Sequence, residues 1–316
     1  MNQTFYKSFP VQQGMALVLV LWVLTLLTIM AGSFALSIRR EASVISSVRD
    51  SAEASAIARA GIIIAQKMLL NPDKNERWLA DGTVYPVDYA GAEIRIKIVS
   101  EQGKININKA KKKLLENMIK YFDDDEDDRA VKIADAILDW RDTNDLVRLH
   151  GAEKAQYQDE NLKYGPRNKP FQSIEELQLV LGVDQELYKN LEPLITIYSK
   201  NGNVDKNSAS EIILAILEGQ TQQQQQEKKQ KETEIKDEQD GLSNLFDPKK
   251  NKSKTTIQGA FTIFSEAKLE NGAKSMIKTI IRRMSPPIKG KPPFVVSSWS
   301  RLYSSDESLF ETEEEQ

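Results

Sequence analysis

The sequence predicts an α+β fold in which one long N-terminal helix, transmembrane and then amphipathic, packs on a small antiparallel sheet. A large all-α domain is expected to be inserted between the strands. Three observations lead to this prediction: an uncharged apolar stretch that continues into a helical pattern, strands that lie far apart in the chain, and helical periodicity between them. The sheet therefore has to be completed by the C-terminal part of the 316-residue chain.

The N-terminal helix is predicted from about residue 15 to residue 70. Met15 to Ile38 contains no charged residue, and about 20 apolar residues suffice for a helix to cross a bilayer. Lipid offers the backbone no hydrogen-bond partners, so such a segment has to be helical. Apolar residues recur at helical spacing beyond Arg40, and no proline interrupts them before Pro72. This second half is predicted to pack on a folded domain.

The strands are predicted from alternation of apolar and polar residues. Ala92 to Ile98 forms the first strand, and its partners are expected at residues 261–269, 276–283 and 294–302. Asn271-Gly272 predicts a two-residue hairpin, because both residue types tolerate positive φ. Residues 71–89 contain turn residues and are predicted as a connection.

The inserted segment is predicted to be helical. Capping boxes are expected to open helices at Ser173 and at Ser208. A weak repeat places Asn108 and Asn207 before helical patterns, each as an expected cap, and resembles a helix-hairpin-helix unit. The predicted segments are a leader 1–14, the helix 15–70 (transmembrane about 15–38), the sheet 71–104, the helical domain 105–218, a low-complexity linker 219–254, the rest of the sheet 255–310 and an acidic tail 311–316.

Composition argues against several classes of function. The chain has no cysteine, so disulfides and thiolate metal sites are impossible. Its net charge of -3 does not favour wrapping of nucleic acid. His150 is the only histidine, and neither a nucleophile elbow nor a glycine-rich phosphate loop is present. We therefore expect no enzyme and no nucleic-acid partner.

The first 14 residues resemble a prepilin leader. A short polar segment ends at Gly14 and the apolar core follows it, whereas a secretory signal is cut after its apolar core. The resemblance implies cleavage between Gly14 and Met15 by prepilin peptidase and a methylated new N-terminus. An ordinary single-span anchor with a short cytoplasmic tail is the alternative. Prepilin-like subunits usually carry Glu at the fifth mature position, where this chain has Leu19, a departure shared by the K-type subunit of type II secretion systems.

A specific resemblance lies in residues 136–183. The spaced features Leu138-Asp-Trp140-x-Asp142, Gly151-Ala-Glu153, Asn168-x-Pro170 and Val180-x-Gly182 are similar to the signature of the general secretion pathway protein K family. The resemblance implies a pilin-like fold and a minor pseudopilin that caps the tip of the periplasmic pseudopilus and supports export of folded proteins. It implies a single-pass inner-membrane protein with most of the chain in the periplasm.

The resemblance also implies partners. These are the I-type and J-type minor pseudopilins, prepilin peptidase, the inner-membrane type II secretion platform, and the secreted substrates or the outer-membrane channel. The alternative function is a single-span membrane-anchored binding protein that uses the helix-hairpin-helix-like units.

A metal site is expected after the helix that ends near Asp142. The family resemblance implies calcium, and Asp142, Asn144, Asp145 and Glu153 are the predicted ligands because calcium prefers oxygen donors. The alternative is a helix C-terminus with solvated carboxylates. The acidic run 123–128 is predicted as a solvated loop that caps the next helix, and a bound cation is its alternative.

Overall fold

The computed structural model describes residues 13–123, 127–200, 202–219, 259–284, 290–302 and 308–310. Most of the predicted leader, nearly all of the low-complexity linker and the acidic tail lie outside the described residues. The same holds for the centre of the acidic run 123–128.

The predicted N-terminal helix is confirmed. Helix α1 runs from Gln13 to Leu69 and has 57 residues, which corresponds to about 85 Å at 1.5 Å per residue. Its apolar first half is exposed, with Leu17, Trp22 and Phe34 each at least 68% accessible. By length and composition α1 can cross a membrane. An apolar half with no protein packed on it fits a transmembrane anchor.

A five-stranded antiparallel sheet follows, in the order β1-β2-β5-β6-β7. Its strands are β1 Asp81–Tyr89, β2 Ala92–Ser100, β5 Ala260–Leu269, β6 Lys274–Arg283 and β7 Phe294–Leu302, and a separate parallel pair joins β3 Ile105–Asn106 to β4 Ile195–Thr196. The chain thus leaves the sheet after β2 and returns at β5, as the sequence predicts.

Two local predictions about the sheet are wrong. Residues 81–89 form a strand and not a loop, and this is possible because Pro86 lies on an edge strand, where a missing N–H costs no ladder bond. The β5–β6 connection has four residues, Glu270 to Ala273. Only Gly272 has a positive φ there, at +84°, so Asn271 does not form the expected two-residue turn.

The second half of α1 packs on one face of this sheet. Ile57, Ile62 and Leu69 are buried against Ile94 and Ile96 of β2 and their neighbours on β5 and β6. The closest approach is at Gly61, where an added Cβ would overlap the Ser265 hydroxyl and lie 2.9 Å from the Ile94 side chain. Glycine is therefore required for the helix to approach the sheet this closely.

The segment between β2 and β5 builds a second hydrophobic core of its own. Its α-helices are α2 Lys112–Lys120, α3 Asp127–Arg141, α4 Lys154–Asp159, α5 Gln185–Leu191 and α6 Glu211–Glu218. Trp140 and Tyr157 are its largest buried side chains. Because β3 and β4 also belong to this segment, it is not all-α, and its independence as an inserted domain remains a prediction.

Several predicted caps in this segment are wrong. Residues 175–179 form a 3-10 helix with Ile174 at its N-cap and no side-chain cap bond. Helix α6 is capped by Ser210, whose side chain accepts from the Ile213 N–H, and not by Ser208. Asn108 caps no helix, since its amide pairs with the backbone of Phe171 in both directions. The helix-hairpin-helix interpretation thereby loses the cap on which it rested.

A buried carboxylate joins the two cores. Glu101 follows β2 directly, is 1% exposed, and accepts a 2.6 Å hydrogen bond from the Thr262 hydroxyl of β5. Its other oxygen accepts from Thr196 of β4, and Lys104 forms a 2.7 Å ion pair with it. Charge-assisted hydrogen bonds of this kind are stronger than neutral ones, so Glu101 fixes how the helical segment meets the sheet.

We expect Gly61→Val to lower the free energy of unfolding by about 1–3 kcal/mol, because its side chain would force α1 away from Ser265 and Ile94. Chemical denaturation of the detergent-solubilised chain measures this change. Ala56→Val, at an exposed position of the same helix, is the control and should cost much less. Equal effects of the two substitutions would contradict the close packing at Gly61.

Candidate functional site

An oxygen-rich loop follows helix α3. Asp139, on the last turn of α3, is 0% exposed, and its carboxylate accepts from the Arg148 backbone N–H at 3.2 Å. The Arg148 guanidinium lies between Asp139 and Asp142 and donates to both. An added Cβ at Gly151 would overlap the Asp139 carboxylate. The loop is thus folded around Asp139 and Arg148.

The next two predicted ligands are held by short-range hydrogen bonds. Asn144 donates from both its backbone and its side chain to Asp142 Oδ1, at 3.2 and 3.0 Å. Its own Oδ1 accepts from the Leu146 N–H at 2.9 Å. Asp145 accepts a 2.6 Å hydrogen bond from the amide of Asn168, which lies 23 residues further along the chain. These contacts keep Asp142, Asn144 and Asp145 in one loop.

Glu153 lies on the inner side of the same loop. It is 6% exposed, and its Oε1 has no hydrogen-bond partner. The pKa of Glu153 is raised to about 7, chiefly by burial and also by the negative charges of Asp139, Asp142 and Asp145, while a hydrogen bond from Asn168 acts in the opposite direction. A buried carboxyl that faces several carboxylates is a group that a divalent cation would stabilise.

The structure brings the four predicted ligands into one region but not into one coordination sphere. Among the described residues, no three acidic or histidine side chains converge closely enough to hold a metal ion. The position between Asp139 and Asp142 is taken by Arg148. Calcium ligation by Asp142, Asn144, Asp145 and Glu153 therefore stays a prediction, and so does the alternative of a solvated helix C-terminus.

Three residues of this region were not among the predicted ligands. Asp139 is part of the sequence signature and completes the group of carboxylates around Glu153. Arg148 supplies the opposite charge, and a lone arginine in a loop gives no sequence signal for that role. Asn168 has a φ of +52°, and its buried Oδ1 lacks a hydrogen-bond partner. Non-glycine residues with positive φ are uncommon and often occur at functional positions.

The predicted processing site lies at the start of α1. Gly14 and Met15 fall in the first turn of the helix, which begins at Gln13. The residues before Gln13 and the side chains of the first turn lie outside the described part of the chain. Cleavage at this bond stays a prediction.

A second candidate surface is the outward side of α1, beyond the apolar half. Four apolar side chains on this side are each at least 62% exposed: Val44, Ile45, Val48 and Ile63. The opposite side of the helix packs on the sheet from Ile57 onward. The spacing of the four exposed residues places them along one side of the helix together with exposed Ala52 and Ala56. Such an apolar stripe is typical of a helix that packs against other helices.

Part of the chain matches the model of a known family. Residues 96–200 match the family model "Type II secretion system (T2SS), protein K". This part of the chain is similar to protein K of type II secretion systems. The matched residues run from within β2 to a point just after β4, and they include the whole oxygen-rich loop.

Curated relatives agree with this match. Type II secretion system protein K of Klebsiella pneumoniae is 26% identical over 58% of this chain and 62% of that protein, and the Aeromonas hydrophila protein is 27% identical over 58% and 63%. The chain thus spans less than two thirds of the length of these relatives. A solved complex named GspK-GspI-GspJ, from enterotoxigenic Escherichia coli, contains a chain that is 19% identical, with a TM-score of 0.49 and coverage of 84% of this chain and 99% of that one.

Proposed function

We propose that this protein is a minor pseudopilin that caps the tip of the type II secretion pseudopilus and so supports export of folded proteins. The match of residues 96–200 to the family model and the exposed apolar half of α1 support the proposal. The role is one of assembly and needs no catalytic site. His150, the only histidine of the chain, is exposed in a loop, which fits a protein without a histidine-dependent reaction.

The observation that carries the proposal is the position of the helical segment. The β5–β6 turn lies beside Ser43 to Ser51 of α1, that is, near the apolar half. The other end of the sheet, where Ser100 pairs with Phe261, leads into the helical segment through Glu101. Nine-residue strands separate the two ends by about 30 Å. The helical segment therefore lies at the end of the sheet remote from the apolar half.

This arrangement suits a terminal subunit. The apolar half of α1 is held in the inner membrane, and the stripe Val44, Ile45, Val48 and Ile63 packs against the helices of the I-type and J-type minor pseudopilins. The helical segment then covers the position above, so that new subunits are added only from the membrane platform below. Its exposed surface lies in the periplasm, where secreted substrates and the outer-membrane channel are within reach.

The absence of a glutamate in the apolar half supports the terminal position. Leu19 occupies the fifth position after the proposed cleavage site. A carboxylate inside lipid costs at least about 2.5 kcal/mol unless it is paired, and a subunit without a neighbour above it would offer no partner. An apolar residue at this position avoids that cost.

Co-expression with prepilin peptidase is expected to remove residues 1–14 and leave Met15 as the N-terminus. Mass spectrometry of the purified chain measures the loss. Gly14→Val should block it, and Gln13→Ala, one residue earlier, should leave most chains processed. A functional protein that keeps the Gly14–Met15 bond would contradict the pseudopilin assignment.

Co-purification with the I-type and J-type minor pseudopilins tests the assembly role. We expect the full chain to recover both partners, and Val48→Glu to reduce recovery about tenfold because it places a charge in an apolar helix interface. Ser47→Glu introduces the same charge at the neighbouring position, outside the stripe, and serves as the matched control. If neither partner is recovered with the unaltered chain, the proposal is wrong.

We also propose that calcium binds to the oxygen-rich loop through Asp142, Asn144, Asp145 and Glu153. Two observations support it: the donors are all oxygen, which calcium prefers, and the buried oxygens Glu153 Oε1 and Asn168 Oδ1 have no hydrogen-bond partner. Calcium would supply positive charge to this loop and cross-link its two ends. Calcium is then a structural ligand and takes part in no reaction.

Calcium is expected to raise the thermal midpoint of the detergent-solubilised chain, since a ligand at 100 times its Kd stabilises the folded state by about 2.7 kcal/mol. The double variant Asp145→Asn, Glu153→Gln should lose most of this shift in differential scanning calorimetry. Asp159→Asn, an exposed carboxylate on nearby α4, should keep it. No calcium-dependent shift in the unaltered chain would refute the site.

A further inference from the structure

The last described residues of the chain lie on the sheet face opposite α1. Glu266 of β5 alternates with Ser265, which faces α1 at Gly61, so the Glu266 side chain lies on the outer face. Although it is charged, Glu266 is only 3% exposed. Its carboxylate accepts from the Leu309 N–H at 2.5 Å and from the Ser308 hydroxyl at 3.0 Å. Residues 308–310 therefore cover it.

Three cationic side chains lie close to the Phe310 ring. The Arg95 guanidinium lies 4.5 Å from the ring centroid and also donates to the Leu309 carbonyl at 3.0 Å. Lys268 and Lys274 place their ammonium groups 5.5 and 5.4 Å from the same centroid. Phe310 is 7% exposed. Cations within about 6 Å of an aromatic face are attracted to it, so this surface recognises an aromatic residue.

The placement of the lysines indicates that the surface also accepts negative charge. Lys268 lies directly opposite Lys274 in the register, and like charges in that position destabilise a sheet. Both lysines are exposed. Glu93 is opposite Lys268, but it already pairs with Arg95 at 3.1 Å. A further anion at this end of the sheet would relieve the repulsion between the two lysines.

The same face continues with more cations around a second ring. Lys97 and Lys278 lie 5.9 and 5.7 Å from the centroid of Phe264. Lys278 also pairs with Glu192 at 3.3 Å. The outer face of β2, β5 and β6 thus combines aromatic and basic side chains over its whole width.

The sequence around Phe310 matches this surface in charge. Residues 308–310 are preceded by Asp306 and Glu307 and followed by four more acids within six residues: Glu311, Glu313, Glu314 and Glu315. An aromatic residue flanked by acids is complementary to rings and cations on the outer face. Electrostatic complementarity of this kind gives specificity to peptide recognition.

We propose that the outer face of β2, β5 and β6 is a recognition site for a short acidic peptide with a central aromatic residue, and that the C-terminal segment of the chain occupies it. Glu266, Arg95, Lys268 and Lys274 form the site. Glu266 binds the backbone N–H before the aromatic residue, Arg95 binds the carbonyl, and the lysines bind the ring. A second peptide of the same chemistry binds only when it displaces the C-terminal segment.

A peptide-binding experiment tests the proposal. A fluorescent peptide with the sequence of residues 304–316 is titrated into two detergent-solubilised proteins, the full chain and a chain that ends at Leu302, and anisotropy is measured. The truncated chain should bind the peptide, and the full chain at least about tenfold more weakly, because its own segment competes at high effective concentration. Raising the salt from roughly 50 to roughly 500 mM should weaken binding.

Variants separate the ring from the charges. A peptide with Phe310→Ala should bind the truncated chain about tenfold more weakly. Lys268→Gln with Lys274→Gln in the truncated chain should have a similar effect. The matched control is Lys74→Gln with Lys189→Gln, two exposed lysines elsewhere. Equal binding of the peptide to the full and the truncated chain would overturn the proposal. Unchanged binding to the truncated chain with Lys268→Gln and Lys274→Gln would also overturn it.

Hydrogen exchange on the full chain keeps the test valid if the truncated chain fails to fold. The Leu309 N–H donates to Glu266 and should exchange slowly. Phe310→Ala should accelerate its exchange at least about tenfold, while the amides of β5 keep their protection. A Leu309 N–H that exchanges at the rate of an unstructured peptide in the unaltered chain would show that the segment does not occupy the site.

Discussion

The packing of α1 on the sheet is the contact on which the remaining structure depends. One uninterrupted helix has to present apolar side chains to lipid along its first half and to a hydrophobic core along its second half. Gly61 makes this possible, because only a residue without a side chain lets the helix axis approach Ser265 and Ile94 so closely. Since the helix continues without a break, the orientation of the sheet relative to the apolar half is fixed, and the exposed stripe from Val44 to Ile63 is left available for other helices.

Glu101 links the sheet to the helical segment and so determines how the helical segment is oriented. A buried carboxylate is costly unless it is fully paired, and Glu101 is paired with Thr196, Thr262 and Lys104. Thr262 belongs to the sheet, whereas Thr196 and Lys104 belong to the helical segment. The sheet and the helical segment have separate hydrophobic cores. The position of the helical segment at the end of the sheet is therefore determined by this polar junction and not by a continuous apolar interior.

Charge pairing organises the two surfaces that have functional proposals. In the oxygen-rich loop, Arg148 neutralises Asp139 and Asp142, and Glu153 is left with a raised pKa and an unpaired oxygen. On the outer sheet face, Arg95 and the two lysines opposite each other surround Phe310. In both places the local excess of one charge is what makes a further ligand favourable.

The sequence by itself determined the α+β class, the long helix, β2, β5 to β7 and helix α3, since each has a strong hydrophobic period of its own. It also placed Asp142, Asn144, Asp145 and Glu153 in one loop, because they are close along the chain. Tertiary structure alone decided that Pro86 lies in an edge strand, that Ser210 caps α6, and that Asn108 binds Phe171. It also decided that Arg148 enters the acidic loop and that Glu266 holds the C-terminal residues. Some of these contacts join residues that are distant in sequence, and others depend on which backbone groups lack a partner. The hydrophobic periodicity of a short stretch of sequence predicts neither kind of contact.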